Sequence, residues 1–219
     1  MKLDIGLYFI SKFFLILFGL IGSIKMNYVE SLKVTSLSVG NMHSCALFDN
    51  HKSKCWGYGH ALGLDQTVWS DENHNIGDTI DELGDNMPYI DIGNDLEIKK
   101  VSCGGLFSCF IINDGQMKCF GRNDHGEIGI GSKKFLIGKV SGHIGDKLPF
   151  IKLGKEIKVI DIVTGNAHVC ITYIGNKIKC FGKNSVGELG YGHKRNIGLS
   201  QDDMGDNLKI VDLGNYCFE

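Results

Sequence analysis

Apolar residues come in short bursts along this chain, and the bursts recur. Val34 and Leu37, Ile98 and Val101, and Val159 and Ile162 precede a glycine at Gly40, Gly104 and Gly165. After each glycine comes a segment with a cysteine toward either end: Cys45 and Cys55, Cys109 and Cys119, Cys170 and Cys180, ten residues apart in every case. The midpoints are Asn50, Asp114 and Gly175, and Asn113-Asp114-Gly115 and Gly175-Asn176 are residue types that tolerate the positive φ of a tight turn. Each segment therefore predicts a β-hairpin with its two cysteines opposed. Opposed residues in a hairpin have Cβ atoms about 4.5–5.5 Å apart, so a bridge needs only slight tightening. The expectation is three cross-strand disulfides, Cys45–Cys55, Cys109–Cys119 and Cys170–Cys180; the alternative is three pairs of small buried thiols.

The hairpins belong to a longer repeat. Each copy continues with Ile-Gly and then two further glycines at fixed offsets: Gly77, Gly84 and Gly93; Gly138, Gly145 and Gly154; Gly198, Gly205 and Gly214. The first cysteines recur after 64 and 61 residues, and the length difference falls in one place, after the Cys-aromatic-Gly motif. The predicted organisation is residues 1–24 as an apolar leader, 25–32 as a linker, and repeats over 33–96, 97–157 and 158–219.

In the leader, Phe13 to Ile24 carries no charge and is flanked by Lys12 and Lys25, with Gly22 and Ser23 as small residues where a peptidase could cut. This reads as a secretory signal. An uncleaved membrane anchor over residues 5–24 is the alternative, at a cost of about 2.5–3.5 kcal/mol for burying Lys12. Either places the repeats outside the cytoplasm, secreted or membrane-anchored, where disulfides persist; the third reading, an apolar stretch on a soluble protein, does not export them. Thirty glycines in 219 residues against only two prolines suit a chain of many tight turns, and the absence of a strict three-residue glycine period excludes collagen. A net charge of −2 provides no general attraction to nucleic acid, so none is expected as a partner.

Gly40 to Leu47 (Gly-x-x-His-Ser-Cys-Ala-Leu), Lys54 to Gly57 (Lys-Cys-Trp-Gly), Gly126 to Gly129 (Gly-Glu-Ile-Gly) and Gly187 to Gly192 (Gly-Glu-Leu-Gly-Tyr-Gly) resemble the regulator of chromosome condensation repeat. The paired cysteines, with Met-Gly-Asp-Asn-Leu at Met204 to Leu208, are similar to exported members of that family. The resemblance spans about Lys33 to Gly214 and implies an all-β fold: a partial β-propeller of three blades, each a four-stranded antiparallel sheet, preceded by an N-terminal apolar helix. Three copies are fewer than the four to eight blades of a closed ring, so exposed blade faces are expected, with a truncated propeller, missing blades on a second chain, or self-association to complete a ring as the alternatives.

Catalytic chemistry has no visible carrier: phosphate loop, His-Glu-x-x-His and Gly-x-Ser-x-Gly motifs are all missing, and no enzyme activity or cofactor is expected. Ten-residue cysteine spacing does not suit zinc. His43 and His168 share a repeat position with Phe107, which favours packing over ligation. Acids from Asp78 to Asp85 invite a calcium reading, but the second copy has only Asp146, so turn formation is the better account. Cys103 reads as a lone buried residue, and Cys217 has no counterpart. The variable segments Asp65 to Asn75, Gly131 to Leu136 and His193 to Asn196 are the candidate partner-binding loops, with Trp69 as an anchor. The expected function is a non-catalytic extracellular binding or scaffold module for a protein partner. The resemblance also raises guanine nucleotide exchange on a small GTPase and, by fold analogy, an exported inhibitor.

Overall fold

The computed structural model describes residues 32–64, 75–139 and 143–214. The N-terminal segment read as signal, anchor or helix lies outside them, as do Trp69 and Cys217. The described residues form three antiparallel sheets. The first holds β1 (Val34–Val39), β2 (His43–Phe48) and β3 (Ser53–Gly57). The second holds β4 (Ile98–Cys103), β5 (Phe107–Ile112), β6 (Gln116–Arg122) and β7 (Leu136–Ile137). The third holds β8 (Val159–Thr164), β9 (His168–Tyr173) and β10 (Lys177–Gly182).

Each sheet is a meander in sequence order, as hairpin turns require. The turns use the left-handed region at His51, Asn113 with Gly115, and Gly175 with Asn176. The fourth strand is shorter than the family pattern implies. It has two residues in the second blade and is a single bridge in the others, Gly57 to Ile76 and Gly182 to Ile197. The cause is local: the next residues, Gly77, Gly138 and Gly198, take φ of 94°, 84° and 109°, which ends an extended strand.

Because paired residues in an antiparallel sheet share a face, the register sorts each blade into two sides. On one side lie the cysteines: Ser38, Cys45 and Cys55; Ser102, Cys109 and Cys119; Val163, Cys170 and Cys180. The cysteines are bonded within each trio, with Cα–Cα distances of 4.1 Å. On the other side lie Leu37 with Ala46, Val101 with Phe110, and Ile162 with Ile171. The cysteine face of one blade packs on the opposite face of the next. Cys103 N–H donates to Ser38 Oγ (2.9 Å) across the first junction, and Ser102 and Thr164 hydroxyls meet at 2.8 Å across the second. The middle blade is therefore covered on both sides, and every residue of β5 is buried. Phe107, Phe110, Phe120 and Phe181 are wholly buried at these junctions. A methyl group on Gly63 would sit 2.7 Å from Phe120, so this glycine permits the close approach of the first blade's loop to the second blade.

Candidate functional site

Two kinds of feature repeat with the blades: a polar clamp at each junction and a loop at one blade end. In the clamp, the lysine before the second cysteine is buried and points toward the preceding repeat. Lys118 Nζ donates to Ile92 O (2.6 Å) and to Gly145 O (3.0 Å). Burial pushes its ammonium downward, and Asp146 and Asp91 push it back up. Asp146 accepts from Asn94 N–H at 2.8 Å, and Gly145 N–H donates to Asp91 O. The next junction repeats this: Lys179 Nζ to Leu153 O (2.7 Å), Lys155 N–H to Asp206 (2.7 Å), and Gly205 N–H to Lys152 O (2.8 Å). The sequence reading treats these acids as turn formers. In the structure the Gly-Asp pair also ties each repeat to the one before it, a role visible only once the blades are stacked.

A second cluster sits inside the first junction. His43 Nε2 lies 2.9 Å from Ser108 Oγ, which donates to Ala61 O. His43 Nδ1 has no partner among the described residues, and burial pushes the imidazole down to about 4. Ligand atoms of His43, Cys45 and Cys103 lie within 4.8 Å of one another. However, Cys45 is spent in a disulfide, and burial pushes the Cys103 thiol up to about 11, so the trio does not present the thiolates a soft metal needs. Packing accounts for His43, as its exchange with Phe107 in the second repeat suggests.

The candidate site is at the blade end that carries the loops after β3, β6 and β10. A buried asparagine holds each of the two described loops. Asn123 Nδ2 donates to Ser132 O (2.7 Å) and Lys134 O (3.0 Å), and its Oδ1 accepts from Ile128 N–H. Asn184 Nδ2 donates to His193 O (2.7 Å) and Arg195 O (3.1 Å), and its Oδ1 accepts from Leu189 N–H. The first repeat has Gly59 at this position. Neighbouring loops are also joined: Gly131 N–H donates to Gly198 O (3.0 Å), and Gln201 Nε2 donates to Ile130 O (2.6 Å). Lys133, Lys134 and Lys194 are exposed on this frame, and Phe135 is 62% exposed beside them. Arg195 is held by Asp203. One held loop thus presents Lys133, Lys134 and the adjoining Phe135, and the next held loop presents Lys194.

A stack of three antiparallel meanders, each closed by a two-residue fourth strand or a single bridge, is a β-propeller architecture. Residues 98–127, in the second blade, match the model of the regulator of chromosome condensation (RCC1) repeat. The first and third blades share that blade's strand register and bonded cysteines, so the three repeats follow the plan of the blade that matches the RCC1 repeat. Among curated relatives, a bifunctional serine/threonine-protein kinase/NEDD4-like E3 ubiquitin-protein ligase of Dictyostelium discoideum is 30% identical over 100 residues. That alignment covers 44% of this chain and 5% of the relative. The human probable E3 ubiquitin-protein ligase HERC6 is 29% identical over 166 residues, covering 74% of this chain and 14% of the relative. Prp20p of Saccharomyces cerevisiae superposes with a TM-score of 0.60 at 17% identity, over 82% of this chain and 38% of that one. Human WBSCR16 superposes with a TM-score of 0.57 at 16% identity, over 83% of this chain and 40% of that one. The chain thus spans a small part of these relatives, and the structural likeness speaks for the fold.

Proposed function

We propose that this chain is a non-catalytic, extracellular protein-binding module that uses its loop end to recognise an acidic surface on its partner. The observation that carries the reading is the asparagine-held loop presenting Lys133, Lys134 and Phe135, with the exposed Lys194 on the next asparagine-held loop. An exposed aromatic flanked by cations suits a protein partner, since the ring supplies apolar area and the lysines steer an acidic face toward it. Likeness to Prp20p, whose crystal structure was described with its binding to Gsp1p and histones, supports a protein-binding role for the propeller frame. The apolar stretch from Phe13 to Ile24 and three disulfides support an export route. The test is quantitative capture from extracellular fluid by the chain and by a variant with residues 131–136 and 193–196 replaced by Gly/Ser. Proteins recovered by the first, lost with the second and released by moderate salt are expected. Equal recovery by both removes the loops from recognition.

A further inference from the structure

The junction between blades occurs twice within the chain, and each half of it occurs once more without its mate. On the first blade, Lys54 Nζ donates to Gly84 O at 2.8 Å, as Lys118 does to Gly145 O. Among the described residues, Gly84 N–H finds no acceptor and the Asp85 carboxylate no donor, although the equivalents Gly145 and Asp146 both engage the preceding repeat. On the third repeat, Gly214 N–H bonds Asp212 Oδ1 at 2.9 Å, the turn that Gly93 makes with Asp91. Asp212 O and Leu213 O are the counterparts of Asp91 O and Ile92 O, the acceptors used at the first junction, and no described residue donates to them. One end of the blade stack therefore carries the donor half of the clamp and the other end the acceptor half.

The apolar surfaces match in the same sense. Leu37 is 67% exposed where its counterparts Val101 and Ile162 are buried, and Trp56 is only half-buried where Phe120 and Phe181 are fully covered. At the contact point between faces, the inner junctions place Ser38 against Cys103 and Ser102 against Thr164. The two open faces carry Val39 and Val163 at those positions, 73% and 64% exposed. At the open faces Val163 takes the place of the serine hydroxyls of Ser38 and Ser102, and Val39 that of Cys103 and Thr164, so the two open faces offer each other an apolar pair where the inner junctions have a polar contact.

We propose that the open face of the first blade docks on the cysteine face of the third blade of a second copy, with Val39 on Val163, Lys54 on Leu213 O and Gly84 N–H on Asp212 O. The contact is head-to-tail, and two copies joined twice close a six-bladed ring, within the range of known propellers. The inference rests on the junctions and is independent of the loop reading above.

The test uses the full oxidised chain, its mass in solution measured across micromolar concentrations, together with Val39→Asp and Val163→Asp. Both valines are exposed, so the variants retain three disulfides and an unchanged β-sheet circular dichroism spectrum. The wild type is expected at twice the mass of one chain. Each variant alone damages both junctions of the pair and is expected at the mass of one chain. Mixed in equal amounts, the two variants regenerate one undamaged junction, and a heteropair is expected to reappear with weaker affinity than the wild type. A wild type that stays at the mass of one chain overturns the proposal, as does a pair that survives Val39→Asp or a mixture that fails to re-form.

Discussion

His43 is neutral in the first junction because burial outweighs the contact from Phe107's backbone. The same repeat position holds Phe107 in the second blade, so an aromatic ring, and not its charge, is what the site requires. The pH consequence follows from the sign of the shift. With the folded imidazole at about 4 and an ordinary value of 6.5, the unfolded chain takes up a proton first as pH falls. Stability is therefore lost progressively between about pH 6.5 and pH 4 and levels off below, a difference of about 3 kcal/mol. His43→Phe should remove most of that loss, at the cost of the contact to Ser108. Denaturant unfolding of both proteins at pH 7 and pH 4.5 is the measurement; parallel losses in the two proteins would show that His43 is not the group responsible. Its burial was legible in the sequence because Phe107 shares the position. The orphaned Nδ1 was not, since it depends on what a second blade fails to offer.

At the scale of the strand and loop, legibility tracks distance along the chain. The hairpins and the opposition of their cysteines could be read because ten residues and one turn determine the pairing. The clamp could not: Asp146 accepts from Asn94, 52 residues away, and before the blades are stacked it looks like any acid in a glycine turn. Asn123 and Asn184 were not legible either, because an asparagine two residues after a glycine, beside Asp124 or Ser185, has the composition of an ordinary turn. In the structure each asparagine satisfies three backbone groups from inside the protein. Asn184→Ala leaves those groups unpaired and should cost about 1–3 kcal/mol. The damage should be local as well as global, with amide hydrogen exchange in residues 189–197 rising well before that of β9. Unchanged exchange there would mean that the bonds from Gly131 and Gln201 hold the loops without the asparagines.

Across the whole molecule, the sheets pack face to face on their neighbours, with the first and third blades meeting through the Asn41–Asn166 side-chain hydrogen bond, so a feature repeated identically in sequence behaves differently according to its place in the stack. The three disulfides are an instance. Cys45, Cys109 and Cys119 have no exposure and Cys55 has 1%, because a following blade lies over each pair. The third pair lies on an open face, and Cys170 is only half-buried. Attack by a thiol or phosphine needs access to a sulfur, so under native conditions Cys170–Cys180 should be reduced first and the middle pair last. Each bridge closes a loop of about ten residues, worth about 3 kcal/mol in the chain-entropy account, so opening the exposed one should loosen the third blade before the other two. Differential alkylation with peptide mapping gives the order. If Cys109–Cys119 opens as fast as Cys170–Cys180 in the Val39→Asp chain, the blades are not covered as described. The wild type adds a further constraint: head-to-tail pairing covers the third face as the inner faces are covered, so its Cys170–Cys180 should become slower to reduce as concentration rises, while the same bond in Val39→Asp should show no such dependence.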